Sequence, residues 1–138
     1  MVTICTYNAR TLRSESSIED MLVQAGMIRY DVIGLAETRR RHLFNAVYDT
    51  GEELFLGTCD SKGVGGVGVL VNTSLSMNID SFEQLTTRIG RLRFKNTSLS
   101  MNIDSFEQLT TRIGSLRLKR CGKTGFDNLR RLRANIKP

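Results

Sequence analysis

Two residues of this chain have side chains and positions suited to phosphate and cation chemistry. They are Asn8 in "TICTYNAR" and Glu37 in "DVIGLAETRR", each closing a run rich in β-branched and apolar residues. A carboxamide beside a carboxylate can hold one phosphate oxygen and one hard cation. Magnesium is typically bound by one or two carboxylates together with water and substrate phosphates. Arg39, Arg40 and Arg41 follow directly and could steer a phosphodiester. Spacing alone favours a plainer reading, in which Asn8 caps a turn, Glu37 is solvated and the arginines form an exposed face.

The elements that must position this pair follow from local pattern. "VTICTYN" predicts a strand over Val2–Asn8. In "SESSIEDMLVQAGMIRY", Ile18, Met21, Leu22 and Ala25 recur as one buried helical stripe, Ser16 and Glu19 have capping-box spacing, and Gly26 is a stop. "YDVIGLAET" is a second strand, which makes a βαβ unit with parallel strands. The carboxyl ends of both strands then open on one edge, where α/β proteins place ligands. "VGVLV" at Val67–Val71 reads as a buried strand. Gly63, Gly65 and Gly68 satisfy G-x-G-x-x-G, but a polar turn precedes them and β-branched residues follow. They therefore read as turn and strand-entry glycines rather than a dinucleotide fingerprint.

The segment Asn72–Lys95 is repeated as Asn96–Lys119, the two differing only at Arg91/Ser115 and Phe94/Leu118. Two units do not make a solenoid. A tandem duplication explains them, and each copy is expected to form two short strands joined by a turn near its paired threonines. Both copies then have equal claim to one place in the fold. The loser must add at an edge, loop out or stay loosely ordered.

The chain has 138 residues, 40% hydrophobic and 25% charged, and suits one globular domain. No apolar run approaches the ~18 residues of a membrane span. The start lacks the pattern of a secretory signal, and the three cysteines, Cys5, Cys59 and Cys121, are odd in number and far apart. Both point to an intracellular protein, nuclear or cytoplasmic, with free thiols. His42 is the only histidine and, beside three arginines, reads as a surface residue. Net charge is +6, with nine Lys/Arg against Asp127 from Arg112 onward, a balance that favours DNA or another nucleic acid. "DNLRRLRAN" reads as a short helix capped by Asp127.

Taken in order, "TICTYNARTLR", "DVIGLAETRRR", "GVGGVGVLVN" and "SFEQLTTRIGRLRFK" resemble the start of the endonuclease/exonuclease/phosphatase superfamily. They are most similar to the endonuclease domains of RTE-type non-long-terminal-repeat retrotransposons and to craniofacial development proteins. The resemblance runs over about residues 2–124, counting the duplicate once, and leaves 125–138 as a divergent basic tail. It implies an α/β fold, a two-sheet sandwich that cuts DNA phosphodiesters with Mg²⁺. In that scheme Asn8 meets the phosphate, Glu37 binds the metal, and Arg88 or Arg112 contends for one further position. The family's later tyrosine segment, "GDFN"-like motif and "SDH"-like pair do not occur in this sequence. The resemblance therefore implies an incomplete half of the sandwich, inactive alone, whose first sheet lacks a covering second sheet and exposes an apolar face. The alternative is a non-catalytic basic remnant that binds nucleic acid. A third possibility is a product that folds poorly.

Overall fold

A computed structural model describes residues 2–95 together with Ser100–Asp104, Gln108–Thr111, Ser115–Arg117 and Leu132–Ala134, with side-chain environments over residues 5–95. The βαβ unit forms as its pattern predicts. Strand β1 (Val2–Asn8) pairs parallel with β2 (Val32–Ala36), and helix α1 (Glu15–Ala25) lies between them in sequence. The α1 stripe is Ile18, Met21 and Ala25, all buried, with Leu22 packed beside them. It sits on Cys5, Tyr7, Ile33, Leu35, Leu54, Leu56 and Leu70 of the sheet.

The cap of α1 is not the expected one. Ser14 holds the extended N-cap backbone and its Oγ accepts from the Ser17 amide at 3.1 Å, while Ser16 lies inside the first turn. The run Ser14-Glu15-Ser16-Ser17 offers several cap candidates, and backbone geometry selects among them. Gly26 does end the helix, with right-handed backbone.

The remaining strands of the first sheet are β3 (Phe44–Val47), β4 (Glu53–Leu56) and β5 (Val67–Val71). A late strand, Leu132–Ala134, lies on the other side of β1; numbered in chain order it is β11. The sheet order is β11-β1-β2-β5-β4-β3, and every pair but β1–β2 is antiparallel. The pattern of "DNLRRLRAN" predicts a helix over Leu132–Ala134. These residues instead extend the β1 edge with Val2 opposite Ala134, because pairing an open strand edge satisfies backbone groups a solvated turn of helix would leave to water. Asp127, its expected cap, lies outside the described residues.

The face of the sheet away from α1 is covered, contrary to the expectation of an exposed apolar face. The first repeat copy supplies a four-residue helix, α2 (Thr73–Ser76), then β6 (Ile79–Thr86) and β7 (Ile89–Phe94), with the turn at Thr87–Arg88. Ile79, Leu92 and Phe94 are buried together with Val32, Val67, Val69 and Val71. The Phe55 and Phe82 rings lie 5.8 Å apart across the two layers. Gly90 admits this closeness: a Cβ there would meet the Phe82 ring at 2.7 Å and Val67 Cγ2 at 3.2 Å.

The second copy contributes β8 (Ser100–Asp104), β9 (Gln108–Thr111) and β10 (Ser115–Arg117), which add at the edge of β7 in the order β10-β9-β8-β7-β6. One of the three fates open to the losing copy is thus the observed one. The expected two strands hold for the first copy, whereas the described residues of the second form three. Among the described residues the protein is a mixed α/β fold of two sheets with one substantial helix. No helix among the described residues is long and apolar enough to cross a membrane.

Candidate functional site

The β1–β2 register sets Asn8 opposite Ala36, so Asn8 and Glu37 emerge on the same edge. The ladder continues one step further through Ala9 N–H to Ala36 O at 3.0 Å. Asn8 Oδ1 accepts from the Arg10 amide at 3.0 Å, the side-chain turn that the plainer reading of Asn8 anticipates.

Backbone strain gathers at this edge. Arg10 (φ 60°), Glu37 (φ 58°) and Arg39 (φ 52°) are the non-glycine residues with left-handed backbone among those described. Each such residue costs about 1–2 kcal/mol and persists only where its surroundings enforce it.

The enforcing contacts come from a glycine turn. Thr38 N–H donates to Gly66 O (3.2 Å) and Arg39 N–H to Gly65 O (3.0 Å). Thr38 is fully buried, and its hydroxyl donates to Gly57 O at 3.2 Å. Gly63, Gly65 and Gly66 have φ of 80°, 85° and 99°. Ahead of them Asp60 Oδ1 accepts from the Lys62 (2.8 Å) and Val64 (2.9 Å) amides. These bonds, the Val64 amide first, hold the Asp60 carboxyl below the usual carboxylate range. Gly63 and Gly65 therefore shape a turn, and Gly68 lies within β5, as their context predicted.

The Glu37 side chain is 24% exposed, and its Oε2 lies 3.3 Å from both Arg39 Nε and the Gly65 amide. The three consecutive arginines do not form one face. Arg40 turns inward: its Nη1 donates to Leu12 O (2.9 Å) and Arg13 O (3.3 Å), and its guanidinium stacks on Phe44 at 4.8 Å. Arg39 stays beside Glu37. Arg41 reaches the Asp60 and Ser61 carbonyls at 3.5 and 3.4 Å.

Arg13 joins this edge, although nothing in its sequence context marks it. Its Nε donates to Arg39 O at 2.8 Å, and Arg13 and Arg41 both flank Gly63. Arg10, Arg13, Arg39 and Arg41 are all exposed, so the rim around Glu37 is cationic.

The first repeat copy also reaches the edge. Gly66 N–H donates to Thr87 O at 2.7 Å, which sets the Thr87–Arg88 turn against the glycine turn. Of the two arginines contending for one position, Arg88 is therefore the one whose turn adjoins the site; Arg112 lies outside the described residues. His42 is exposed and lines a cleft with Arg41, Leu43, Thr58, Phe82 and Glu83. A second cleft, formed by Tyr30, Asp31, Glu52 and Asn72, lies at the amino end of β2.

Among the described residues no three His, Cys, Asp or Glu side chains converge. Glu37 offers a carboxylate at this edge, and the hydrogen bonds it makes among the described residues run through Oε2. That donor set fits a magnesium ion completed by water and a bound phosphate, not a cage made by protein alone. No family model, no curated protein and no solved structure matches the chain.

Proposed function

We propose that the β1–β2 edge is the phosphodiester-binding half of a Mg²⁺-dependent endonuclease site of the endonuclease/exonuclease/phosphatase type, able to bind DNA but not to cut it alone. The observation that carries this reading is the strained edge itself: Asn8 and Glu37 share one rim, locked by the glycine turn and ringed by Arg10, Arg13, Arg39 and Arg41. Glu37 would hold the metal, and the Asn8 amide would face a phosphate oxygen. Magnesium, when bound, would neutralise charge on that phosphate. The ordered sequence resemblance and the two-layer α/β architecture support the same reading.

Cleavage also needs a group to orient or deprotonate water, within reach of the phosphate. The Asp-x-Asn and Asp–His motifs that the resemblance would require for this do not occur in the sequence. The expected result of a plasmid-nicking assay with Mg²⁺ is therefore background cutting by both the natural chain and Glu37→Gln. DNA binding discriminates further. Mg²⁺ should tighten binding by the natural chain and not by Glu37→Gln, and an equal response from both would reject Glu37 as the ligand.

The cationic rim favours a second reading, a non-catalytic nucleic-acid binder. In that case affinity falls steeply with salt, Mg²⁺ adds nothing, Arg13→Ala weakens binding and Glu37→Gln does not.

A further inference from the structure

One sequence adopts two structures in this chain. In the first copy "IDSFEQLT" is a single eight-residue strand, β6, lying on the first sheet. In the second copy the same letters are split between β8 and β9, which fold back on one another with Ile103 opposite Leu109. Ser76 ends a helix, whereas its counterpart Ser100 begins a strand.

The hairpin register differs as well. Leu92 lies opposite Phe82 in the first copy, but its counterpart Leu116 lies opposite Leu109, the counterpart of Leu85. The offset is three residues at Leu92 and two at Thr86, because the β6–β7 register shifts between Gln84 and Thr86. The repeat's own sequence therefore does not fix its register; contact with the first sheet does.

Those contacts are specific. Gln84 Nε2 donates to Thr58 O at 2.9 Å, Phe82 meets Phe55, Gly90 gives Phe82 room, and Thr87 O receives the Gly66 amide. At the entrance Asn72 donates to Tyr30 O at 2.7 Å. Every one of these residues recurs 24 positions later: Asn96, Phe106, Gln108, Thr111 and Gly114. The copies differ only where Arg91 lies opposite Glu83 and at buried Phe94, and both differences favour the first copy in the slot.

We propose that the face of β4 and β5 is a docking surface for either repeat copy, the second replacing the first by a 24-residue shift that loops out Asn72–Lys95. A tethered competitor acts at high effective concentration, and the longer connection adds little closure cost. The exchange replaces Arg88 by Arg112 beside Gly66, so the chain carries two interchangeable arginine turns for one edge.

The test uses three full-length variants and denaturant unfolding with hydrogen exchange read peptide by peptide. Phe82→Asp with Leu92→Asp disables the first copy, Phe106→Asp with Leu116→Asp the second, and the four together disable both. Either pair alone should retain a cooperative transition, and the four together should lose it. In the first-copy variant, amide protection should move from residues 79–94 to 103–118; Arg91/Ser115 and the new aspartates distinguish the peptides. If the first-copy pair abolishes the transition as completely as all four substitutions, the exchange does not occur. A transition midpoint that rises with protein concentration would assign the replacement to a neighbouring chain and overturn an internal exchange.

Discussion

Gly66→Ala tests the rigidity of the strained edge. Gly66 has φ 99°, and a Cβ there would fall well inside contact distance of the Thr38 hydroxyl and 3.2 Å from the Arg39 amide. Thr38 cannot yield freely, because it is fully buried and its hydroxyl is bonded to Gly57 O. Forcing alanine into left-handed backbone costs about 1–2 kcal/mol. Overpacking a closed site adds about 1–3 kcal/mol. The expected loss is therefore about 3 kcal/mol, a large part of the ~5–15 kcal/mol that holds a typical domain together. For a chain of this size the melting temperature should fall by roughly 10 °C. Urea unfolding followed by circular dichroism would measure the loss. Thr38→Ala removes the oxygen that the new methyl meets, so Gly66→Ala should cost about 1 kcal/mol less in that background. A Gly66→Ala protein within about 0.5 kcal/mol of the natural chain would refute the claim that this turn is rigid.

Other expectations concern the same framework. Arg40→Met should destabilise by about 2 kcal/mol, because it removes charge-assisted bonds to the Leu12 and Arg13 carbonyls, whereas Arg41→Met should stay within about 0.5 kcal/mol; paired urea titrations decide this. The Asp60 carboxyl titrates below its ordinary range in the folded chain, so its contribution is complete above pH about 4 and is lost as pH falls through the folded value. Acid should therefore lower the amide protection factors, the exchange rates corrected for the intrinsic pH dependence, at residues 62–66, and Asp60→Asn should flatten that dependence. Burial and the hydrogen bond to Glu52 raise the Tyr30 phenol, so its contribution is complete below pH about 10 and declines as pH rises further. Tyr30→Phe should reduce the alkaline slope without abolishing it, since burial moves Tyr7 and Tyr48 the same way.

The parts of the fold legible from sequence are those where one short-range signal dominates. Val2–Asn8 and Val67–Val71 are β-branched runs that lie in one sheet, and both strands have the bounds their sequences predict. The α1 stripe and the parallel β1–β2 pair follow from helical periodicity and connection length, which is why Asn8 and Glu37 could be placed on one edge. The four-residue strands β3 and β4 are too short for alternation to mark them, and their sequences predict no strand.

The arginine run shows a second limit. Three identical side chains in a row look like one charged face, yet Arg40 is drawn inward by the Leu12 carbonyl and the Phe44 ring, which only tertiary contact supplies. Glu37's position was legible, but its left-handed backbone and its bonds to Arg39 and Gly65 depend on a turn about 28 residues away in sequence. The two repeat copies mark the furthest limit. Identical letters give β6 in one place and β8–β9 in another, so no reading of those letters alone could assign both.

The central claim is that the β1–β2 edge holds a phosphodiester with a cation on Glu37. The most direct measurement is paramagnetic broadening of amide signals when Mn²⁺ replaces Mg²⁺ in the presence of a short DNA strand. Broadening centred on residues 8–10, 37–39 and 65–66, and lost in Glu37→Gln, is the predicted result. Broadening centred on another carboxylate, or unchanged by Glu37→Gln, would contradict it.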